Sequence, residues 1–336
     1  MLILGIETSC DETACAVVED GVRIRVNVVA SSLKEHRPYG GVIPEIACRS
    51  HVESILPVVD QALREAGIGF SDLGLLAATE GPGLVGALLV GLTVAKTLSF
   101  SHQIPFVGVD HIEAHLYACL MREPAPHFPF LGLVVSGGHT SLYEVSDFDR
   151  FRLIGQTRDD ACGEAFDKVA KILGLGYPGG PVIEQRSREG NPRVFSFPTP
   201  LLKDHPFDFS FSGIKTAVLY KVRELEKPLS SPVIDDLCAS FQRVVIEGLV
   251  ERSLQGCRRL GLKVLVVGGG VTANQALRTA FENRFRQEAL EVYFPPRGLS
   301  LDNAAMVAGL GYQLYRKGIH SSLNLACSPL GKGVNL

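Results

Sequence analysis

The chain has no Cys-x-x-Cys pair, although it carries eight cysteines, at positions 10, 15, 48, 119, 162, 238, 257 and 327. Thiols scattered in this way exclude a zinc ribbon and a disulfide scaffold, and predict reduced, partly buried side chains in a cytoplasmic protein. An excess of one charge is missing too: 33 Lys and Arg against 36 Asp and Glu leave a net charge of −3. So nearly neutral a molecule is no electrostatic magnet for nucleic acid, and any RNA it handles must meet a local basic patch or a partner's. The start, Met1-Leu2-Ile3-Leu4, enters a strand with no basic lead and no small-residue cleavage site, which predicts no signal peptide. The longest apolar run, Leu84 to Ala95, holds Gly86, Gly91 and Thr93 and is too short to span a bilayer, so a soluble protein with no membrane partner is expected. Three motifs are absent as well: the P-loop Gly-x-x-x-x-Gly-Lys-Ser/Thr, the dinucleotide Gly-x-Gly-x-x-Gly at the triple glycine Gly268–Gly270, and the zinc-protease His-Glu-x-x-His.

What is present suits a globular enzyme. A length of 336 residues suggests two domains, and 46% hydrophobic with 21% charged residues is the balance of a packed protein. The pattern strand, polar tip, strand, turn, strand occurs twice. It runs first through Leu2 to Ile6, Glu7 to Thr13, Ala14 to Val18 and Val22 to Ala30. It returns in Phe130 to Val135, Ser136 to Thr140, Ser141 to Val145 and Arg150 to Gly155. Each copy is followed by helical and strand-like segments. In the first half these are a helix over His51 to Gly67 with Val52, Ile55, Leu56, Val59 and Leu63 in period, a strand over Leu73 to Thr79, and an apolar helix from Leu84. In the second they are a long helix over Ile234 to Arg259, a strand over Lys263 to Val267 and a final helix over Asp302 to Arg316. Alternation of this kind predicts an α/β architecture with mixed sheets, built as two lobes of shared topology.

His111 and His115, in Val109-Asp110-His111-Ile112-Glu113-Ala114-His115, stand four apart, so a helix sets both rings on one face. Asp302, in Leu301-Asp302-Asn303, would complete a two-His, one-carboxylate metal set with open positions if the fold brings it back. Asp110 and Glu113 read as an N-cap and a capping-box acid, which makes Glu113 a structural residue rather than a base. Ser136-Gly137-Gly138 and Gly268-Gly269-Gly270 offer open backbone to a phosphate or nucleotide, although a tight turn accounts for either run equally well. Asn274 suits a base or ribose contact and equally a helix start. Glu164 and Lys168 read as a surface pair, Asp167 as a group able to hold ribose hydroxyls, and Phe207 to Thr216 as a core plug.

These segments, taken in order, resemble the tRNA adenosine threonylcarbamoyltransferase family, once described as O-sialoglycoprotein endopeptidases. The likeness rests on Gly5-Ile6-Glu7-Thr8-Ser9-Cys10-Asp11-Glu12-Thr13, Gly40 to Glu45, Gly81-Pro82-Gly83-Leu84, His111 to His115, Val135 to Thr140, Gly163 to Lys168, Phe209 to Gly213 and Asp302-Asn303. The resemblance implies the actin-like ATPase (ASKHA) fold, with a first lobe over 1–127 and a second over 128–336 whose C-terminal helix, about 302–316, returns to the cleft between lobes. It implies transfer of the threonylcarbamoyl group of threonylcarbamoyl-adenylate to the exocyclic amine of the adenosine beside the anticodon, in tRNAs reading ANN codons, with release of AMP. Residue by residue, His111, His115 and Asp302 match metal ligands, the ion being Fe2+ or alternatively Zn2+. Val134, Val135, Ser136, Gly137, Gly138, Asp167, Gly180, Glu184 and Asn274 match nucleotide-substrate contacts, and Asp11 matches an acid at the catalytic tip. The partners implied are tRNA, a non-catalytic paralogue and a small P-loop ATPase. Three rival readings remain: a small-molecule kinase on the same fold, a metalloprotease disfavoured by Ile112 following His111, and a non-catalytic nucleotide-binding scaffold.

Overall fold

Leu2–Glu7 (β1) and Glu12–Glu19 (β2) pair antiparallel, Leu2 opposite Glu19 and Glu7 opposite Ala14, and Arg23–Ser31 (β3) extends the meander. The computed structural model describes residues 1–202 and 204–331. β1 and β2 are buried almost end to end, which explains their near-continuous apolar sequence: helices cover both faces of this sheet. After Leu33–His36 (α1) and Pro44–Ala66 (α2), the chain adds Leu73–Gly81 (β4) parallel to β1, crosses through Val85–His102 (α3), and adds Phe106–Asp110 (β5) parallel to β4. The sheet order is β3-β2-β1-β4-β5. β5 runs directly into His111–Tyr117 (α4).

The second unit, Pro126–Phe294, repeats this plan. Phe130–Val135 (β6), Thr140–Asp147 (β7) and Arg150–Gln156 (β8) form the meander. Cys162–Ile172 (α5), Gly179–Ser187 (α6), Ser212–Glu224 (α7) and Ser231–Leu260 (α8) follow. Val264–Gly268 (β9) then pairs parallel to β6, and Gln275–Gln287 (α9) leads to Glu291–Tyr293 (β10), parallel to β9. The order β8-β7-β6-β9-β10 matches β3-β2-β1-β4-β5 strand for strand, so the duplication read from the sequence is a duplication of topology, as the resemblance implies. Its core is rich in phenylalanine: Phe166, Phe209, Phe211, Phe241, Phe281 and Phe285 are buried together. Phe209 and Phe211 are core residues as expected of that segment, but from Ser212 on it is the start of α7 rather than a strand or loop.

The chain then returns. Residues 295–331 cluster with Met1–Ala125, whereas the sequence expectation ran the second lobe from 128 to 336. The physical reason is Ala304–Arg316 (α10), whose small residues let it lie close on β1, β2 and β4. A Cβ on Gly5 would sit 2.3 Å from Ala304 O and 2.9 Å from the Ala308 Cβ, so only glycine admits this approach. Ser321 N then donates to Phe106 O at 2.8 Å and Ser328 N to Glu80 O at 2.7 Å, fastening the tail to the β4–β5 side of the sheet.

Two local expectations need correction. α2 starts at Pro44 rather than near His51: Pro44 stands at its first turn, and of its residues before His51 only Ala47 is fully buried, too little to show a period. Within it Ile55, Val58, Val59 and Leu63 face the core, whereas Val52 and Leu56, which fall in the same helical period, are 62% and 64% exposed. α3 is the one helix among the described residues that is long and apolar enough to cross a membrane, and it packs on β4 and α2 as a layer of the first unit.

Candidate functional site

α4 begins where β5 ends because Asp110 caps it: its Oδ1 accepts from Ile112 N at 2.9 Å and Glu113 N at 3.1 Å. The cap satisfies two of the helix's free N–H groups and fixes the rotation of the first turn. That rotation sets the His111 and His115 rings 4.5 Å apart between centroids, at 75°. Asn303 caps α10 in the same manner through Met306 N, so Asp302 lies just before a helix start, aimed by a second cap. The result is convergence within the first unit: Asp302 Oδ1 is 3.1 Å from His115 Nε2 and 3.7 Å from His111 Nε2.

Burial separates this trio from a surface ion pair. His115 is fully buried; among the described residues its Nδ1 has no hydrogen-bond partner, and its Nε2 has only the Asp302 carboxylate beside it. An imidazole orphaned in this way costs free energy unless another group takes its lone pair. The ligand atoms of His111, His115 and Asp302 lie within 4.8 Å of one another, so the three residues could hold one metal ion. Burial by itself would push His111 down, but the Glu7 and Asp302 carboxylates beside it override that and raise it to about 9. Glu7 is likewise opposed by burial, yet the His111 charge and hydrogen bond hold its carboxyl below the ordinary glutamate value. Glu7 went unread as a site residue in the sequence. Its one signal there is an acid ending an apolar strand.

The tip between β1 and β2 holds Asp11 by its backbone. Asp11 O accepts from Ser32 N at 3.1 Å and Ser32 Oγ at 2.8 Å, and the same hydroxyl lies 3.1 Å from His36 Nε2. Ile43 N donates to His36 Nδ1 at 3.2 Å, so the proton of neutral His36 sits on Nε2. His51 braces the other side, with Nε2 2.9 Å from Cys10 O and Nδ1 2.8 Å from Thr13 Oγ1. Burial holds His51 below its ordinary value of 6.5. A depressed histidine contributes stability above the unfolded value and loses it as pH falls, because the unfolded chain takes up a proton that the folded one refuses. Thermal melts are therefore expected to show wild type more stable than His51→Gln at pH about 7.5, with the gap narrowing as pH falls below about 6.5. A gap that widens in acid would contradict the assignment.

In the second unit the expected contacts meet around the β6–β7 tip. Val134 and Val135 have fully buried side chains and are spent on the ladder, paired with Ser141, Gly268 and Thr140. The open part is Ser136-Gly137-Gly138, where a Cβ on either glycine would meet nothing within 4 Å. α5 docks beneath it, Gly163 N donating to Ser136 O at 3.1 Å. Asp167 Oδ1 accepts from Gly179 N at 2.7 Å, which holds the start of α6 and sets Gly180, also open to solvent space, at its first turn. Glu184 Oε1 accepts from Gln275 N at 2.9 Å and ties α6 to α9. Asn274 is engaged on both sides, Oδ1 capping Leu277 N at 3.0 Å and Nδ2 donating to Gln242 Oε1 at 2.7 Å, which is its helix-start reading. Glu164 and Lys168 pair at 2.7 Å as expected, and Lys168 reaches Asp160 as well, at 2.6 Å. The open backbone at Gly137, Gly138 and Gly180, with Asp167 and Glu184 tying α6 in place, could take a phosphate against backbone N–H groups.

Comparison with known proteins bears on the family and the fold. The family model described as tRNA N6-adenosine threonylcarbamoyltransferase matches residues 23–309. A protein of that name from Syntrophotalea carbinolica is 51% identical over 325 residues, covering 97% of this chain and 95% of its own. Another from Anaeromyxobacter dehalogenans is 50% identical, covering 97% and 98%. Among solved structures, (R)-2-hydroxyglutaryl-CoA dehydratase component A of Acidaminococcus fermentans superposes with a TM-score of 0.55 at 15% identity, covering 93% of this chain and 98% of that one. HypF of T. kodakarensis superposes with a TM-score of 0.62 at 14% identity, covering 94% of this chain and 48% of that one. Identities so low speak for the shared fold alone.

Proposed function

This chain belongs to the tRNA N6-adenosine threonylcarbamoyltransferase family, and from that premise we propose how its residues divide the reaction. The enzyme transfers a threonylcarbamoyl group to the N6 amine of a tRNA adenosine. In our reading the donor is threonylcarbamoyl-adenylate and the acceptor is the adenosine beside the anticodon in tRNAs reading ANN codons. The amine nitrogen bonds to the carbamoyl carbon, the bond from that carbon to the phosphate oxygen breaks, AMP leaves with the electron pair, and the amine sheds one proton.

The cradle of Ser136, Gly137, Gly138 and Gly180, with the adjoining backbone of Val134 and Val135, takes the nucleotide end of the donor. Asp167, Glu184 and Asn274 hold its walls. Asp11 orients the acceptor amine or receives its proton. His111, His115 and Asp302 hold a divalent ion, Fe2+ before Zn2+ in our assignment, which supplies a Lewis acid for a substrate oxygen. The observation that carries the metal assignment is the convergence of Asp302 Oδ1 on Nε2 of fully buried His115, 3.1 Å away, and on His111 Nε2 at 3.7 Å.

A chain of net charge −3 that works on tRNA gains from partners. We assign it a non-catalytic paralogue and a small P-loop ATPase. Support for a protein partner comes from an apolar face across two packed helices, Val52 and Leu56 on α2 with Val85 and Leu89 on α3, each more than half exposed. We place the protein in the cytoplasm, where its tRNA substrate is.

The test is a reconstituted transfer. Protein, partners, threonylcarbamoyl-adenylate and unmodified tRNA are expected to give threonylcarbamoylated adenosine and AMP in equal amounts, read by mass spectrometry of digested RNA. ATP-dependent phosphorylation of a small molecule, with no modified nucleoside, would overturn the reading in favour of a kinase. The cradle has its own test in Gly180→Val. The new side chain enters open space, so the melting temperature should stay within a few degrees. The KM for the adenylate should rise by about tenfold or more, the equivalent of about 1.4 kcal/mol. An unchanged KM would remove Gly180 from the donor site.

A further inference from the structure

The Glu7 carboxylate is fully buried at the end of β1, and its known contacts account for both oxygens. Oε1 accepts from Ser9 N at 2.5 Å. Oε2 accepts from Thr79 Oγ1 at 2.6 Å and lies 3.0 Å from His111 Nδ1. A backbone N–H can only donate, and a carboxylate that takes the Ser9 and Thr79 donors has acceptor capacity alone left to offer the ring. The hydrogen at the Glu7–His111 contact therefore belongs to His111 Nδ1. Ser9 Oγ, 3.1 Å from the same nitrogen, lies alongside. The opposite ring nitrogen, Nε2, is the one turned toward Asp302.

We propose that Glu7 is a positioning residue for the metal centre: with Thr79 and Ser9 it fixes the His111 ring as the Nδ1–H form and so directs the Nε2 lone pair at the ion. The inference rests on the metal assignment of the preceding section and deepens it. Three elements make the device stiff. Glu7 ends β1, Thr79 lies on the adjacent parallel strand β4, and His111 opens α4 straight from β5, so the sheet sets the spacing of all three. A ring carried on a helix of seven residues would otherwise be free to turn about its side-chain bonds or to offer the other nitrogen. His115 has no such brace: its Nδ1 has no partner, so the burden of orienting the pair falls on His111. Carboxylate-to-histidine contacts of this kind typically govern metal affinity by 10- to 100-fold.

The test uses the full-length protein with zinc or cobalt as the probe. Chelator competition is expected to give Glu7→Gln an affinity for Zn2+ about 10- to 100-fold below wild type, since the amide has one acceptor oxygen where the carboxylate has two. The cobalt-loaded variant should show a shifted visible absorption spectrum, which a residue that merely holds the fold together would leave in place. A measurement on wild type needs no variant to fold: in the zinc-loaded protein, two-bond 1H–15N correlation should show the His111 proton on Nδ1. An equal affinity and an identical cobalt spectrum in folded Glu7→Gln would overturn the proposal, as would His111 bound through Nδ1. Failure of the metal assignment itself has a different signature, namely wild-type protein whose zinc affinity is unchanged by His115→Ala.

Discussion

His115→Ala is expected to strip the divalent ion from the protein and to lower transfer by about three orders of magnitude, the equivalent of about 4 kcal/mol. The size follows from where the residue sits. His115 is fully buried, its Nε2 faces the Asp302 carboxylate at 3.1 Å, and its Nδ1 has no hydrogen-bond partner among the described residues. Removing it leaves one histidine and one carboxylate, too few donors for a tight site. Truncation of a buried ring also leaves a cavity, so a few degrees of melting temperature should go with it. Asp302→Asn separates the two effects, because it keeps shape and burial while removing the charge. Metal content by elemental analysis and transfer by nucleoside mass spectrometry should fall together in both variants. Full transfer by a metal-free variant would sink the role assigned to the ion.

Gly5→Val should damage the same site from a distance. The new Cβ would sit 2.3 Å from Ala304 O, and backbone cannot swing aside as a flexible side chain can. α10 must therefore lift from β1, carrying with it Asn303, which caps the helix, and Asp302 beside it. Overpacking of this kind costs about 1–3 kcal/mol, and each kcal/mol lowers the melting temperature by about 2–4 °C in domains of this size. The prediction joins a lower melting temperature to weakened metal binding, although Gly5 touches no proposed ligand. A variant with native melting behaviour and native metal affinity would show that α10 does not depend on this contact. Gly180→Val makes the complementary contrast: stability kept, donor binding lost.

Much of this was legible in the chain. The period-2 and period-3.6 patterns located the strands of both meanders and the helices α2, α3, α8 and α10, but not α6 or α7, which lie in glycine-rich and aromatic segments without a clear period. The doubled meander was visible because strand, polar tip and strand leave the same local signature wherever they occur. The His pair was legible because helical spacing alone places both rings on one face. Other features were not. Val52 and Leu56 follow the period of a core face yet are exposed, since a surface kept apolar reads the same as a buried one. Asn274 is both a plausible ligand contact and an N-cap, and its hydrogen bonds to Leu277 N and Gln242 Oε1 are tertiary facts. Glu7 passed as part of a polar tip because an acid's partners, Thr79 and His111, lie 72 and 104 residues away.

From sequence alone came the α/β class, the duplication, the lack of P-loop and zinc-protease motifs, and the candidate metal ligands. All of these depend on local spacing or composition, which the order of residues carries directly. Which unit owns the last helix, how Asp302 comes back to the histidines, and which carboxylate braces His111 depended on close packing between distant segments. That packing turns on groups with no local signature: a missing Cβ at Gly5, and a donor count at a buried Glu7.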